Sequence, residues 1–153
     1  MLILKKILYF IATSFFLTSC GLGILSGGGT HGMIQGYLYP ISKNRLDSTI
    51  QILISSNDKI VSENGDGTIY STVVINDVTK YKYVYRYYGD ENYLKEHPNE
   101  SKIFLTAIKI GNEEYKIDDE LNSKERKEAI LVFKKYFILK LDSMLNEKAS
   151  IFE

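Results

Sequence analysis

The chain has 153 residues, and its 19 lysine and arginine residues are balanced by 19 aspartate and glutamate residues. This length predicts one domain with a single core. A balanced charge provides no electrostatic field for nucleic acid and no basic patch for anionic lipid, so no nucleic-acid partner is expected. Because the chain contains one cysteine, no internal disulfide can form, and packing must stabilise the fold.

The N-terminal residues have the order of a secretory signal peptide. Lys5 and Lys6 form a positive start, residues 7–17 are almost wholly apolar, and small residues precede the single cysteine, Cys20. The apolar run is far shorter than the ~20 residues that a membrane-spanning helix needs. We therefore expect removal of residues 1–19 rather than an uncleaved transmembrane helix.

Leu17-Thr18-Ser19-Cys20 ends this segment with a large apolar residue, two small residues and the cysteine. The tetrapeptide resembles the lipobox of bacterial lipoproteins. The resemblance implies signal-peptidase cleavage between Ser19 and Cys20, a diacylglyceryl group on the Cys20 thiol, and acylation of the new amino terminus with a chain such as palmitate. The next residue is Gly21 rather than aspartate, which in this class implies the outer membrane of the cell envelope, with the domain facing the periplasm or the exterior.

The charge of the processed chain assigns membrane binding to the lipid alone. Cleavage would leave 134 residues with 17 basic and 19 acidic side chains, a formal charge of −2, because Lys5 and Lys6 leave with the signal. No polybasic segment then assists the anchor. Each buried methylene of the lipid on Cys20 adds about 0.8 kcal/mol to membrane binding, and two or three acyl chains make a stable anchor.

Glycine dominates the segment behind the cysteine, with six glycines between Gly21 and Gly32. Glycine loses more entropy on ordering than other residues, so this composition predicts a flexible tether. A phosphate-binding loop is the alternative, but that motif needs a strand before it and a helix after it. We therefore assign residues 20–36 to the lipidated cysteine and its tether, and residues 37–153 to one domain.

Apolar periodicity predicts a helix near each end of this domain. The first begins at the N-cap Ser42 and ends near Ser56. A longer helix is capped by Ser123 and runs to about Glu147. The buried residues expected for the first helix are Leu46, Ile50, Leu53 and Ile54, and those expected for the second are Ile130, Phe133, Phe137, Leu141 and Met144.

Between the helices the pattern indicates a run of strands. β-branched and aromatic residues predict strands at 68–75 and 81–88, and the segment 103–110 is apolar on both faces, as in a central strand. Gly111-Asn112 predicts a hairpin turn into a strand at 113–117. The order of elements predicts an α+β fold of two layers, in which an antiparallel meander of about four strands packs with an N-terminal and a long C-terminal helix.

One local motif resembles a metal site. The sequence Asn-Gly-Asp-Gly-Thr-Ile at 64–69 matches the middle of an EF-hand calcium loop, where oxygen ligands alternate around a glycine. When the loop is aligned on Gly67, its first ligand position is Ser62 and its twelfth is Val73, so both of the strongest carboxylate ligands are missing. We expect a turn there, with no metal and no cofactor.

The most unusual feature is the tyrosine-rich strand 81–88. Strand periodicity places one row on each face of the sheet: Tyr81, Tyr83, Tyr85 and Tyr87 on one, and Lys82, Val84, Arg86 and Tyr88 on the other. The tyrosine row is a candidate recognition surface, since each side chain joins an apolar ring to a polar tip. The alternative is that these rings pack beneath the helices, and it is the favoured interpretation because buried aromatic rings are more common than dedicated binding platforms. Two helices cover one face of a sheet, so some aromatic surface is expected to remain exposed.

Residues arranged for catalysis are scarce. His31 in the tether and His97 in a later loop lack metal-ligand spacing, and the only cysteine is assigned to lipid. The acidic residues near His97 in the sequence are Asp90, Glu91 and Glu96, a possible setting for a general base. An exposed loop with mixed charges is the simpler explanation of the same residues. No nucleophile, base and orienting residue can be named together, so no catalytic residue is assigned.

These observations favour a non-enzymatic envelope lipoprotein whose domain binds or positions an envelope protein or glycan. An alternative is a lipoprotein that binds a small ligand or glycan through the Tyr-rich strand 81–88. A third hypothesis is an unrecognised hydrolase that depends on His97. The domain itself resembles no functional family.

Overall fold

An antiparallel sheet of seven strands forms the centre of the fold, as described by a computed structural model for residues 33–63, 70–76 and 80–152. Its strands are β1 Gln35–Tyr39, β2 Ile60–Glu63, β3 Tyr70–Asn76, β4 Lys80–Tyr87, β5 Ser101–Ile110, β6 Tyr115–Lys116 and β7 Ser150–Phe152. The helices are α1 Lys43–Ser56, α2 Glu91–Glu96, α3 Ser123–Phe133 and α4 Leu139–Leu145, with a 3₁₀ turn at Asp118–Glu120 and a π-helical turn at Lys134–Ile138. The predicted signal peptide, Cys20, the glycine run with His31, and the motif at 64–69 lie outside the described residues.

The strands follow the order β2-β3-β4-β5-β1-β7, and β6 pairs with the other end of β5. All neighbouring pairs are antiparallel, and one irregularity in register falls between Val84 and Tyr85 of β4. The predicted α+β class with an antiparallel sheet is therefore confirmed. The sheet has seven strands within the described residues rather than about four, because β1, β2 and β7 are too short to leave a clear alternating pattern.

The domain begins with a strand, not with a helix, and it begins earlier than predicted. Gln35 and Gly36 belong to β1, which lies between β5 and β7, and Ile34 is 1% exposed. The prediction that the tether extends to residue 36 is therefore wrong. The high glycine content of the segment led to the wrong boundary, since Gly36 lies in a strand of the sheet.

Helix α1 has the predicted bounds. Ser42 is its N-cap, and the Ser42 side chain accepts a hydrogen bond from the backbone amide of Arg45. Leu46, Ile50 and Leu53 recur on one side and are buried against the sheet, as their spacing predicts. This helix and the last one supply the apolar layer that covers one face of the sheet.

The C-terminal helix begins at Ser123, and its N-cap is Asn122 rather than the predicted Ser123. The Asn122 side chain accepts hydrogen bonds from the amides of Lys124 and Glu125. Its middle widens into the π-helical turn, so that buried side chains recur at intervals of four residues: Phe133, Phe137, Leu141 and Leu145. A regular helix of 3.6 residues per turn drifts out of register with a four-residue repeat, and the wider turn corrects that drift. Met144, which was predicted in the buried stripe, is 42% exposed.

The two faces of the sheet differ. Helices α1, α3 and α4 enclose a core with one face, and Tyr37, Tyr83 and Phe133 are among its fully buried members. The opposite face is open to solvent at Val61, Tyr70 and Tyr88, which are 47%, 41% and 42% exposed. Among the described residues no helix has both the length and the apolar character to span a bilayer.

Candidate functional site

The tyrosine row that was predicted as a candidate recognition surface lies on the covered face of the sheet: Tyr81, Tyr83, Tyr85 and Tyr87. Three of these rings are buried, with 7%, 0% and 3% of their surface exposed, and the fourth is half-buried. The hydroxyl of Tyr83 donates to the backbone oxygen of Ala129 at 2.9 Å, and that of Tyr87 donates to Asp47 at 2.5 Å. The prediction of a recognition surface on this row is therefore corrected, because the rings pack beneath the helices.

Burial also changes the acidity of these phenols. Removal from water raises the pKa of Tyr85 to about 12 and raises the pKa values of Tyr83 and Tyr87. Tyr37 in β1 has a buried hydroxyl without a hydrogen-bond partner among the described residues, and burial raises its pKa to about 12. These four phenols therefore stay protonated at neutral pH.

The open face of the sheet carries a different row of side chains. It crosses five strands in register: Tyr70 of β3, Arg86 of β4, Phe104 of β5, Gly36 of β1 and Phe152 of β7. Tyr88, Tyr93 and Lys102 lie against this row through ring and cation contacts. We call the seven side chains the aromatic–cation patch: Tyr70, Arg86, Tyr88, Tyr93, Lys102, Phe104 and Phe152.

The rings of the patch are tilted against one another. The centroids of Tyr88 and Tyr93 are 4.9 Å apart with an interplanar angle of 82°, and those of Tyr88 and Phe104 are 5.2 Å apart at 58°. Phe104 and Phe152 are 5.4 Å apart at 59°. Phe104 is buried although it lies outside the core beneath the helices, so its neighbours on the open face enclose it. The patch is therefore a second aromatic cluster, with Tyr70 and Tyr88 as its most exposed members.

Lys102 is the centre of a hydrogen-bonded group within the patch. Its Nζ donates to the hydroxyl of Tyr93 at 2.7 Å and pairs with Glu100 at 2.9 Å, and the Tyr93 hydroxyl donates to Glu100 at 2.6 Å. The hydrogen bonds to Tyr93 and Glu100 raise the pKa of Lys102, and those from Tyr93 and Lys102 lower the pKa of Glu100. The same Nζ lies 5.2 Å from the ring centroids of Tyr88 and Tyr93. The charge of Lys102 is thus compensated within the protein.

Arg86 is held differently. Its guanidinium carbon lies 6.0 Å from the ring centroid of Tyr70 and 5.7 Å from that of Phe104, within the range of cation–π attraction. The Nε atom is buried and has no hydrogen-bond partner in the described part of the chain. Lys82, another cation on β4, pairs with Glu63 at 2.6 Å. Within the described residues, Arg86 has aromatic neighbours on this face but no paired carboxylate.

Among the described residues, the His97 side chain forms no hydrogen bond or ion pair with Asp90, Glu91 or Glu96, the acids near it in the sequence; its ring packs against that of Tyr93, with the centroids 4.4 Å apart. It follows α2 and lines a cavity of about 410 Å³ with Ser42, Lys43, Asn44, Leu94 and Pro98. Asp90 instead caps α2, accepting a hydrogen bond from the amide of Tyr93 at 2.9 Å, and Glu91 and Glu96 are exposed. Across residues 33–63, 70–76 and 80–152 no group of three His, Cys, Asp or Glu side chains is arranged to hold a metal.

Comparisons with known proteins reveal no relative. No protein-family model, no curated protein and no solved structure matches the chain. The geometry of the open face and the N-terminal motif are therefore the observations from which a function can be inferred.

Most of the patch was not identified from sequence. Arg86 and Tyr88 were placed on the face opposite the tyrosine row, but their neighbours were not recognised. The available signal was in β5, where Lys102 and Phe104 alternate with the buried Ser101, Ile103 and Leu105. Tyr93 and Phe152 gave no such signal, because a short helix and a terminal strand bring them to the patch.

Proposed function

We propose that this protein is a lipid-anchored lipoprotein of the bacterial cell envelope and that its domain is a non-enzymatic binding module. The aromatic–cation patch is its surface for a partner protein. The observation that carries this proposal is the position of the patch on the open face of the sheet, where Tyr70 and Tyr88 are 41% and 42% exposed. Tyrosine, phenylalanine and arginine are enriched at protein interfaces, and tyrosine and arginine are frequent among the residues that carry most of the binding energy.

The arrangement of the cations favours a protein over a glycan. A sugar stacks on a ring whose face is free. Here the guanidinium of Arg86 lies near the rings of Tyr70 and Phe104, and Nζ of Lys102 lies near Tyr88 and Tyr93. The tilted rings also form no common plane, so the patch offers edges and hydroxyls instead of a flat stacking platform.

The binding surface is tested by capture from envelope membranes with the full lipidated protein. Tyr88→Ala should reduce recovery of the partner at least tenfold. Tyr115→Ala is the matched control, because Tyr115 is also a tyrosine on the sheet, is 44% exposed, and pairs with the opposite end of β5. Thermal unfolding of both variants checks that each remains folded. A partner retained equally by the two variants, or a glycan bound on an array and lost with Tyr88→Ala, would contradict the proposal.

The proposal of a lipid anchor is supported by the tetrapeptide Leu17-Thr18-Ser19-Cys20 and by the short apolar run before it. Mass spectrometry of the membrane fraction should show a chain that begins at Cys20 and carries acyl groups. Cys20→Ser should leave the protein unlipidated with residues 1–19 attached. Recovery of the wild-type chain with an unmodified cysteine would disprove the anchor without affecting the binding surface.

A further inference from the structure

The charges on the open face are unequally compensated among the described residues. Lys82 pairs with Glu63, and Lys102 pairs with Glu100. Arg86 stands between these two pairs and makes no ion pair there. Within the described part of the chain it therefore contributes one positive charge without a carboxylate partner to a largely aromatic surface.

The guanidinium of Arg86 is held in place by aromatic rings. Tyr70 and Phe104 are its cross-strand neighbours on β3 and β5, and their ring centroids lie 6.0 and 5.7 Å from its central carbon. Only Nε is enclosed without a partner, and the side chain as a whole is half-buried. A planar guanidinium positioned in this way loses little conformational freedom when it binds, and its terminal N–H groups match the two oxygens of a carboxylate.

We infer that Arg86 is a carboxylate-binding site and that the partner protein presents an aspartate or glutamate side chain to it. This inference rests on the proposed function, because it specifies the chemistry of the partner at the aromatic–cation patch. Apolar residues beside the acid would contact Tyr88 and Phe152, and the carboxylate would compensate the charge of Arg86. An anionic membrane surface fits less well, since it favours several unpaired cations, whereas the lysines nearest Arg86 have carboxylate partners.

The test uses a displayed library of random twelve-residue peptides selected against the full lipidated chain. We expect enriched peptides to contain an acidic residue flanked by apolar residues. Arg86→Gln should weaken their binding at least tenfold, and replacing the peptide's acid with its amide should do the same. Arg86→Lys keeps the charge but loses the planar fork, so its effect should be intermediate.

Lys109→Gln is the matched control. Lys109 lies on the same face toward the other end of β5, 5.8 Å from the ring centroid of Tyr115, so the substitution removes one positive charge without touching the patch. Its binding should stay within twofold of the wild type. Equal losses for Arg86→Gln and Lys109→Gln would mean that net charge alone attracts the peptides, and the inference would be wrong.

Further outcomes separate this inference from the proposed function. Enriched peptides without an acid that are lost with Tyr88→Ala would overturn the role of Arg86 and leave the binding surface intact. Peptides that bind Tyr88→Ala as well as the wild type would overturn both. Two other results would show that the inference is wrong. Arg86-dependent binding to phosphatidylglycerol vesicles would identify an anionic lipid as the ligand of Arg86, and self-association abolished by Arg86→Gln would identify a second copy of the chain.

Discussion

Gly36 of β1 lies directly beneath the ring of Phe152 of β7. A Cβ atom at Gly36 would be 2.6 Å from Cζ of that ring, which is closer than side-chain atoms pack. The absent side chain thus allows the terminal strand to place an aromatic ring over its neighbour and against Phe104. Only glycine leaves room for the ring at this position. A side chain here would therefore disturb both the pairing of β7 at the sheet edge and the position of Phe152 in the aromatic–cation patch.

Gly36→Ala should displace the Phe152 ring and lower the free energy of unfolding by about 1–3 kcal/mol, the usual cost of overpacking. Denaturant unfolding measures this change. In a Phe152→Ala background the same substitution should cost much less, because the clash has been removed. A cost that is equal in both backgrounds would show that strain in β1, and not the ring, makes alanine unfavourable.

Tyr83→Phe should lower the free energy of unfolding by about 1 kcal/mol, since it deletes the hydrogen bond between the buried hydroxyl and the backbone oxygen of Ala129. Because the ring remains, the packing against Phe133 should be kept. Partner binding should be unchanged, as this side chain lies on the covered face. If Tyr83→Phe weakens capture of the partner while the protein stays folded, the covered face contributes to recognition after all.

The stability of the fold should decrease in alkaline solution. Burial raises the pKa values of Tyr37 and Tyr85 from the ordinary 10.0 to about 12. Above pH 10 the unfolded chain loses phenolic protons that the folded chain retains, so the unfolded state binds fewer protons and stability falls as pH rises. Each phenol contributes a slope of about 1.4 kcal/mol per pH unit between roughly pH 10 and 12.

Unfolding by denaturant at a series of pH values measures that slope. Tyr37→Phe should make it shallower, because phenylalanine has no proton to lose, and it should also remove a buried hydroxyl that lacks a partner within the described residues. A wild-type protein whose stability does not change between pH 9 and 11 would be inconsistent with phenols buried in this way.

The π-helical turn predicts an unequal response of two adjacent residues. Leu145→Ala should lower the free energy of unfolding by about 2–4 kcal/mol, because Leu145 is 3% exposed and leaves a cavity. Met144→Ala should change it by less than about 0.5 kcal/mol, since Met144 is 42% exposed. If the two costs were reversed, the helix would follow a regular α-helical register and the π-helical turn would be absent in solution.

The fold was predictable where a periodic pattern is long. Helix α1, the strands β3 to β5 and the start of the last helix follow from apolar spacing and capping residues. The π-helical turn was not predictable, since a 3.6-residue period cannot show where an extra residue is accommodated. It moved the buried position from Met144 to Leu145. The strands β1, β2 and β7 have five, four and three residues, too few for alternation to distinguish them from loops.

The site was predictable only in part. Alternation in β4 correctly separated two rows of side chains, but which row meets the helices depends on tertiary packing. The bulky apolar layer formed by Phe133 and Phe137 covers the row of Tyr83 and Tyr85, so the other row remains open. The contact between Arg86 and its aromatic neighbours depends on strand register, which a single sequence does not reveal.

The aromatic–cation patch is assembled from strands that are distant in the chain, and its last ring arrives with β7 at the edge of the sheet. An extended, unfolded chain therefore carries none of this surface. The patch is complete only when the terminal strand has paired with β1, because β7 supplies Phe152.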